Sequence, residues 1–201
     1  MKKSDLAVLF AALSYIWLFT TVFLGGAFYP NYSHTSQFMS VLGANGAPFG
    51  QEVNLWGFAV VELLLLPSLV LCFVYLMRTT QERLGLVIFA GYPLLLIVAA
   101  FFPCDFECKP DDPTRTQLIH MSAGFLSYLC AIVGLSFLSW TRSERPYWGL
   151  LSLVLVVMLL NLSPDNALAG LTQRALETGI YLWFMGLILS RRQQEGRAMP
   201  R

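Results

Sequence analysis

The chain contains six long apolar runs separated by short polar segments. A helix needs roughly 17–25 mostly apolar residues to cross the hydrocarbon core of a bilayer. Five runs reach that length, and Tyr147–Leu162 reaches it with its flanking residues. We therefore predict an all-α fold, a polytopic transmembrane bundle of six helices. The predicted spans are Leu6–Phe28, Val53–Met77, Leu84–Phe102, Leu118–Trp140, Tyr147–Leu162 and Leu171–Ser190.

The composition indicates that lipid is the solvent for most of the chain. Hydrophobic residues make up 56% of the sequence and charged residues only 12%, whereas a soluble domain carries about 25% charged residues. The runs lack strict alternation of apolar and polar residues, which favours helices over the strands of a membrane barrel. Because the connecting segments are too short to fold separately, we expect residues 1–201 to form one domain.

Basic residues are divided unevenly between the two ends of the predicted bundle. With six helices both termini lie on one side, and that side carries 10 of the 13 Lys and Arg residues. Cytoplasmic loops are enriched in Lys and Arg. We therefore predict a protein of the bacterial inner (plasma) membrane with both termini in the cytoplasm. The three basic residues on the outer side are Lys109, Arg115 and Arg174.

The predicted outer loops are longer and more polar than the inner ones. They read "YPNYSHTSQFMSVLGANGAPFGQE", "PCDFECKPDDPTRTQ" and "SPDNALAG". Long polar loops on one face of a rigid scaffold usually carry function, although loops that only link helices remain an alternative. Within the first loop, "SHTSQFMSVLG" predicts a short interfacial helix that ends at Gly43. Such a helix would cover the outer mouth of the bundle.

The four cysteines divide into two pairs. Cys72 and Cys130 lie inside apolar runs, where they are expected to pack as small apolar residues. Cys104 and Cys108 lie in the second outer loop, where an oxidising compartment favours a disulfide. A bridge requires the two Cα atoms to lie within about 7 Å, which a turn can provide. The bridged and free forms both stay open, and the absence of a neighbouring Cys or His cluster in sequence disfavours a metal.

Several polar residues fall inside the apolar runs, all in the predicted outer half. A charge at the bilayer centre costs about 2.5–3.5 kcal/mol on insertion scales, so Glu62 is expected to face the bundle interior. Arg174 and Glu177 share a helix face and are its candidate partners. In the fourth run a stripe of small or polar residues is also predicted to face the bundle. The predicted pocket residues are Glu62, Asn161, Arg174, Glu177 and His34, and the stripe comprises Thr116, His120, Gly124 and Ser127.

Two loop segments carry a resemblance to a known family. "YPNYSHTSQFMSVLGANGAPFGQEVN" and "FPCDFECKPDDPTRTQLIH" resemble the domain of unknown function 998 family of six-helix integral membrane proteins. Val41 replaces an acidic residue that is usual there, and the Cys104–Cys108 pair is particular to this chain. The resemblance implies a fold, a topology and a site position but no reaction. The matching positions are Tyr29, Pro30, Ser40, Leu42, Gly43, Asn54, Phe102, Pro103, Asp105 and His120.

The leading functional hypothesis is non-enzymatic. An outward-facing polar pocket would bind a membrane lipid or a membrane protein partner, and it needs only the apolar bundle and its polar mouth. A transporter is disfavoured because the predicted inner halves lack a comparable polar set. Nucleic-acid binding is not supported, since the basic residues form no clustered patch.

Three chemical alternatives remain open. An intramembrane lipid hydrolase would use Ser40, His120 and Asp105 as a nucleophile, base and orienting carboxylate. A zinc-assisted version would draw on His34, His120 and Asp105 or Glu62. A haem b or quinone protein would use His34 and His120 as axial ligands. Because no diagnostic catalytic motif accompanies these residues, the sequence commits to no metal and identifies no cofactor.

Overall fold

Every regular element in the computed structural model is helical over the described residues 2–140 and 145–197, with side chains described for 2–140 and 147–191. This confirms the predicted all-α bundle of six helices. Two short 3₁₀ turns, Met39–Gly43 and Phe106–Cys108, lie in the loops. The helices are α1 Lys3–Phe28, α2 Gly50–Leu76, α3 Thr80–Phe101, α4 Arg115–Ser139, α5 Arg145–Leu160 and α6 Ala169–Arg197.

Four of the helices, α1 to α4, are long and apolar enough to cross a membrane by length and composition. Helix α5 is shorter, at 16 residues. Helix α6 has 29 residues but carries Arg174 and Glu177 in its first turns. That α5 and α6 also cross the membrane stays a prediction, as does the orientation of the termini.

Helices α3 and α4 form the closest pair in the bundle, because glycines let their backbones approach. A Cβ atom on Gly134 of α4 would lie 2.7 Å from the carbonyl oxygen of Gly85 and 2.8 Å from the Cα of Phe89. A Cβ on Gly91 would lie 2.9 Å from the Sγ of Cys130. Small residues at helix contacts are the usual means of close packing in lipid, where no hydrophobic force draws the helices together.

Helix α1 packs on α2 through small residues and hydrogen bonds to backbone carbonyls. Ser14 donates to the carbonyl oxygen of Val61 at 2.8 Å, and Ser68 donates to that of Ala7 at 2.8 Å. Both hydroxyl groups are buried. Hydroxyls that bond to carbonyls across helices satisfy polar groups that find no water in hydrocarbon.

Helix α2 contains two wide π-helical turns, Val53–Phe58 and Cys72–Leu76. The first adjoins the loop that follows α1, and it presents the carbonyl oxygen of Trp56 to the indole N–H of Trp17 at 2.9 Å. Short π turns inside α-helices are often found at functional sites. Here the first one precedes the residues of α2 that enter the interior of the bundle.

The loop before α2 differs from the predicted interfacial helix. Only Met39–Gly43 forms a helical turn, of the 3₁₀ type. The preceding residues form a single turn, in which the backbone N–H of Gln37 donates to the carbonyl oxygen of Ser33 at 2.9 Å and the Gln37 amide oxygen accepts from the backbone N–H of Ser33 at 2.7 Å. The left-handed glycine of the loop is Gly46, at φ 83°. Gly43 ends the turn as predicted, but it serves close packing, because Asn54 fills the space of its missing side chain and donates to its carbonyl oxygen at 2.7 Å.

We expect Gly134→Ala to destabilise the protein by about 1–3 kcal/mol, the usual cost of overpacking a tight contact. The added methyl group would press on the backbone of α3, so α3 and α4 would have to separate. Gly149→Ala is the matched control, because a Cβ there meets nothing within 4 Å. Thermal unfolding of the purified proteins in detergent measures the difference. Equal midpoints for the two variants would contradict this account of the packing.

Candidate functional site

A cavity of about 80 Å³ lies among the helices near one end of the bundle. We call this the deep cavity, and we call the end formed by residues 29–49, 102–114 and 161–168 the loop end. Apolar residues such as Leu18 and Leu96 make up much of the wall. A space of this size accommodates a few water molecules or a small polar group. The polar residues that line it are Ser40, Asn54, Glu62, His120, Tyr128, Gln173 and Glu177.

Glu62 is the polar residue of the deep cavity that lacks a partner. It is 4% exposed, which confirms that it faces the bundle interior. Its Oε2 atom has no hydrogen-bond partner in the described part of the chain. A buried polar atom left unpaired costs about 1–3 kcal/mol, and more when it is charged. The group therefore requires a proton, water or a ligand in the cavity beside it.

Glu177 on α6 has the opposite arrangement, because both of its oxygens are satisfied. The hydroxyl of Tyr128 on α4 donates to one oxygen at 2.8 Å, and the hydroxyl of Tyr92 on α3 donates to the other. The carboxyl group is 4% exposed. Glu177 thus joins three helices through hydrogen bonds while it lines the same cavity as Glu62.

Gln173 connects this network to the loop end. Its amide nitrogen donates to the hydroxyl of Tyr128 at 3.1 Å, and its amide oxygen accepts from the backbone N–H of Met39 at 2.7 Å. The Met39–Gly43 turn is therefore fastened over the deep cavity by one side chain of α6. The covering role predicted for this loop is filled by a 3₁₀ turn.

Arg174 does not pair with Glu62, contrary to the partnership considered from the sequence. Its guanidinium extends to the loop end, where it donates to the Tyr32 hydroxyl at 2.7 Å and to the carbonyl oxygens of Gln37 at 3.2 Å and Gly170 at 2.8 Å. Long basic side chains near helix ends commonly extend toward the interface in this way. The described lining of the deep cavity contains carboxyl groups but no Lys or Arg.

His34 lies at the loop end beside Arg174 and outside the deep cavity. Its Nδ1 accepts from the Arg174 guanidinium at 3.1 Å, which implies a neutral ring. The ring also packs edge-on to Tyr32 and fills the space above Gly26. His34 and His120 therefore have different surroundings, and this arrangement does not support the hypotheses of shared haem or zinc ligation by both.

His120 lines the deep cavity with its ring held by backbone. Its Nδ1 lies 2.9 Å from the carbonyl oxygen of Ala99 and 3.0 Å from that of Phe102. Because carbonyl oxygens only accept, Nδ1 carries a proton, and in the neutral ring Nε2 then has a free lone pair. Of the four residues of the predicted stripe, His120 and Gly124 line the deep cavity and Ser127 is buried, whereas the hydroxyl of Thr116 lies 2.9 Å from that of Thr114 in an exposed contact.

The carboxylate of Asp105 bonds to Thr114 and not to His120, which it was considered to orient. It accepts from the backbone N–H of Thr114 at 2.9 Å and from the Thr114 hydroxyl at 2.7 Å. Thr114 in turn caps α4 by accepting from the backbone N–H of Gln117. Asp105 thus braces the start of α4, and the position of the orienting carboxylate beside His120 is taken by two backbone carbonyls.

Asn161 lies at the end of α5 and outside the described cavity linings. Its side-chain nitrogen donates to the carbonyl oxygen of Val157 at 2.7 Å, and its own carbonyl oxygen accepts from the Asn166 side chain at 3.2 Å. These bonds lie within one segment, so Asn161 closes the helix end. A role for Asn161 in the pocket stays a prediction, because neither of these bonds reaches a cavity.

Cys104 and Cys108 are joined in a disulfide, with their Cα atoms 5.0 Å apart. Cys72 and Cys130 are free. The loop around the bridge is anchored by the buried Gln117, whose amide accepts from the backbone N–H of Asp105 at 2.8 Å and donates to the carbonyl oxygen of Cys108 at 3.4 Å. Sequence spacing did not reveal that this brings the sulfur atoms next to His120.

A second cavity, of about 160 Å³, adjoins the deep cavity, and we call it the side cavity. Both are lined by Ser40, His120 and Tyr128. The side cavity also borders Met121 and Phe125, whose side chains are about half exposed on the surface of α4. It therefore connects the polar interior with an apolar face of the bundle.

The family comparison agrees with this architecture. A family model described as "Protein of unknown function (DUF998)" matches residues 11–190. The chain belongs to the DUF998 family. No curated protein and no solved structure matches this DUF998 chain. The matched range covers all the residues that line the deep cavity and the side cavity.

We expect Gln173→Leu to release the Met39–Gly43 turn of this DUF998 protein. Two hydrogen bonds would be lost, each worth about 0.5–1.5 kcal/mol, and the backbone N–H of Met39 would exchange faster with deuterated solvent. Exchange measured by mass spectrometry on a peptide that covers residues 35–44, and so retains deuterium at the Met39 amide, tests this. Gln51→Leu, at an exposed position, should leave that peptide unchanged. Equal exchange in the two variants would show that Gln173 does not fasten the turn.

We also expect the pKa of His34 to lie below its ordinary value and to rise in Arg174→Gln. Burial lowers the pKa of His34, and the positive charge of Arg174 lowers it further because it disfavours the protonated ring. The chain has two histidines, so NMR titration of labelled histidine with His120→Gln as an assignment aid gives each value. Arg115→Gln should leave the His34 pKa unchanged. A fall on removal of Arg174 would contradict the assigned contact.

Proposed function

We propose that this DUF998 protein binds a membrane lipid in the deep and side cavities, with the polar part of the lipid beside Glu62. The observation that carries the proposal is the unpartnered, buried Oε2 atom of Glu62 in a cavity that also holds Glu177. A protein rarely leaves such an atom without a partner unless a ligand or water supplies one. The cavity is therefore read as a binding site rather than a packing defect.

The chemistry of the lining favours a ligand that donates hydrogen bonds. Carboxyl groups and the free Nε2 of His120 accept hydrogen bonds, and the described lining contributes no Lys or Arg to attract an anion. An ammonium or hydroxyl group complements such a site, since bonds between an ammonium and a carboxylate are among the stronger hydrogen bonds. We therefore favour a lipid whose head group carries a primary amine.

The side cavity suits the apolar part of the same molecule. Its opening beside Met121 and Phe125 would let an acyl chain lie against α4 while the head group enters the bundle. The volumes of about 80 Å³ and 160 Å³ suit a head group and the start of a chain rather than a whole lipid. Sites that combine apolar walls with a few convergent polar groups are typical of ligand binding.

The membrane and its orientation belong to the same proposal. The distribution of basic residues supports cytoplasmic termini in a bacterial inner membrane, and in this proposal the loop end faces outside. The deep cavity would then draw its lipid from the outer leaflet. A membrane protein partner at the loop end would be an alternative occupant of the same side.

A lipid hydrolase is the second candidate, because Ser40 and His120 line both cavities. In that reading His120 would accept the proton of the Ser40 hydroxyl through Nε2, while the carbonyls of Ala99 and Phe102 hold the ring. The role first considered for Asp105 is not needed. The Ser40 hydroxyl currently contacts the Sγ of Cys108 at 3.4 Å, so it would have to rotate toward His120.

We expect short-chain phosphatidylethanolamine to bind the purified protein more tightly than phosphatidylglycerol, and Glu62→Leu to abolish the preference. Loss of a hydrogen bond to a charged group is worth about 1.5–3 kcal/mol, which corresponds to at least about tenfold in affinity. Native mass spectrometry of a lipid titration measures the affinity of each protein for the two lipids. Glu52→Leu, at an exposed carboxylate at the start of α2, is the matched control.

Equal binding by the wild type and Glu62→Leu, with unchanged thermal stability, would contradict the proposal. Release of lysolipid or fatty acid during the titration would favour the hydrolase instead. In that case His120→Gln should slow the release by about 10²–10⁴-fold, the usual contribution of a general base.

A further inference from the structure

Two cysteines and a histidine meet where residues 102–114 return to the bundle. Three possible ligand atoms, one from each of Cys104, Cys108 and His120, lie within 4.8 Å of one another. Both cysteines are buried, at 0% and 5% exposure. Their sulfur atoms are joined in a disulfide, and reduction would release two thiols beside an imidazole. The described residues contain no other such group of metal-binding side chains.

The imidazole of His120 is held as a metal ligand would be. Its Nδ1–H faces the carbonyl oxygens of Ala99 and Phe102, which leaves the lone pair of Nε2 available. Histidines that bind metals nearly always donate their other ring N–H to a carbonyl or carboxylate, and this fixes the tautomer and the ring direction.

The donor set selects a class of metal. Two thiolates and one imidazole suit zinc, and carboxylate and water ligands would suit magnesium or calcium instead. The carboxylate of Asp105, which lies between the two cysteines in sequence, is already hydrogen-bonded to Thr114. Three protein ligands with a fourth open position are typical of zinc sites that bind an exchangeable water or substrate.

The fourth position would face the side cavity. Cys108 and His120 both line it, and so does Ser40, whose hydroxyl lies 3.4 Å from the Sγ of Cys108. The carbonyl oxygen of Ser40 lies 3.6 Å from the Sγ of Cys104. A metal at this corner would therefore contact the space into which the side cavity admits small molecules.

We propose that reduction of the Cys104–Cys108 disulfide opens a zinc site, with Cys104, Cys108 and His120 as ligands and an open position toward the side cavity. The proposal does not depend on lipid binding. The cysteine pair would then switch between two covalent states: a disulfide that does not bind metal and a dithiol that does.

The redox step balances with a dithiol as the reductant. The dithiol supplies two electrons and two protons, the bond between the two sulfur atoms breaks, two cysteine thiols form, and the dithiol becomes a disulfide. Zinc then displaces the two thiol protons to solvent and accepts the lone pair of His120. Oxidation by a disulfide in the reverse direction would release the zinc, because a bridged pair no longer supplies thiolates.

The test compares zinc content of the full-length protein in the two redox states. The purified protein is reduced with dithiothreitol, desalted under nitrogen, exposed to zinc, desalted again and measured by elemental mass spectrometry. We expect about one zinc per chain after reduction and almost none before it, as for a site with three protein ligands. Cobalt(II) in place of zinc should give thiolate charge-transfer and tetrahedral ligand-field bands.

Three variants and one control make the result specific. Cys104→Ser, Cys108→Ser and His120→Gln should each weaken zinc binding more than about 100-fold, since even loss of an outer partner costs about 10–100-fold. Cys72→Ala combined with Cys130→Ala removes the two free cysteines and should leave the zinc unchanged. Thermal unfolding of the metal-free variants shows whether each is folded.

Three outcomes would overturn the proposal. In the first, the reduced wild type binds no more zinc than a folded Cys104→Ser variant. In the second, the oxidised protein binds zinc as well as the reduced protein does. In the third, the disulfide resists dithiothreitol in the folded protein, as counted by thiol alkylation, because the site then cannot form.

Discussion

A carboxyl group buried among membrane helices has no bulk water to bond with, so its partners must come from other helices. Glu177 meets this requirement through the hydroxyls of Tyr92 and Tyr128. The three residues lie on three different helices, and Glu177 is 49 residues from Tyr128 and 85 residues from Tyr92 in the sequence. Their mutual bonds set how α3, α4 and α6 lie around one another, and Gln173 extends the same network to the Met39–Gly43 turn.

Glu62 shows what the same constraint means when no protein partner is provided. It lines the same cavity as Glu177, but one of its oxygens is unpaired in the described chain. Arg174, the partner considered for Glu62 from the sequence, is bound at the loop end instead. Glu177 therefore holds the helices together through hydrogen bonds, while Glu62 is left available to a ligand. The division gives the bundle a rigid polar frame around a site that can change its occupant.

Much of the fold followed from the sequence, because the solvent constrains it so strongly. Run length and the scarcity of charge predicted six helices, and the cost of a charge in lipid predicted the burial of Glu62. The tyrosine partners of Glu177 were missed, because no spacing distinguishes a tyrosine that bonds to a carboxyl group from one that packs. The direction of Arg174 was missed for a related reason, since a long side chain near a helix end can extend either way.

The loops were harder to predict than the helices because side chains set their path. The predicted interfacial helix is only a 3₁₀ turn preceded by a single turn at residues 33–37, where the Gln37 side chain also bonds to the Ser33 backbone. The approach of Cys104 and Cys108 to His120 depends on Gln117, an ordinary polar residue in the sequence that holds the loop at two points. Neither contact has a periodic signal, and both required the folded chain.

The wide turn at Val53–Phe58 helps to set the direction in which Glu62, further along α2, points. A π turn accommodates an extra residue in a helix, and each residue turns an α-helix by about 100°. If the same residues wound as a regular α-helix, the composition would be unchanged, but Glu62 would point about 100° away, toward lipid or a neighbouring helix. The two carboxyl groups of the deep cavity would then be separated.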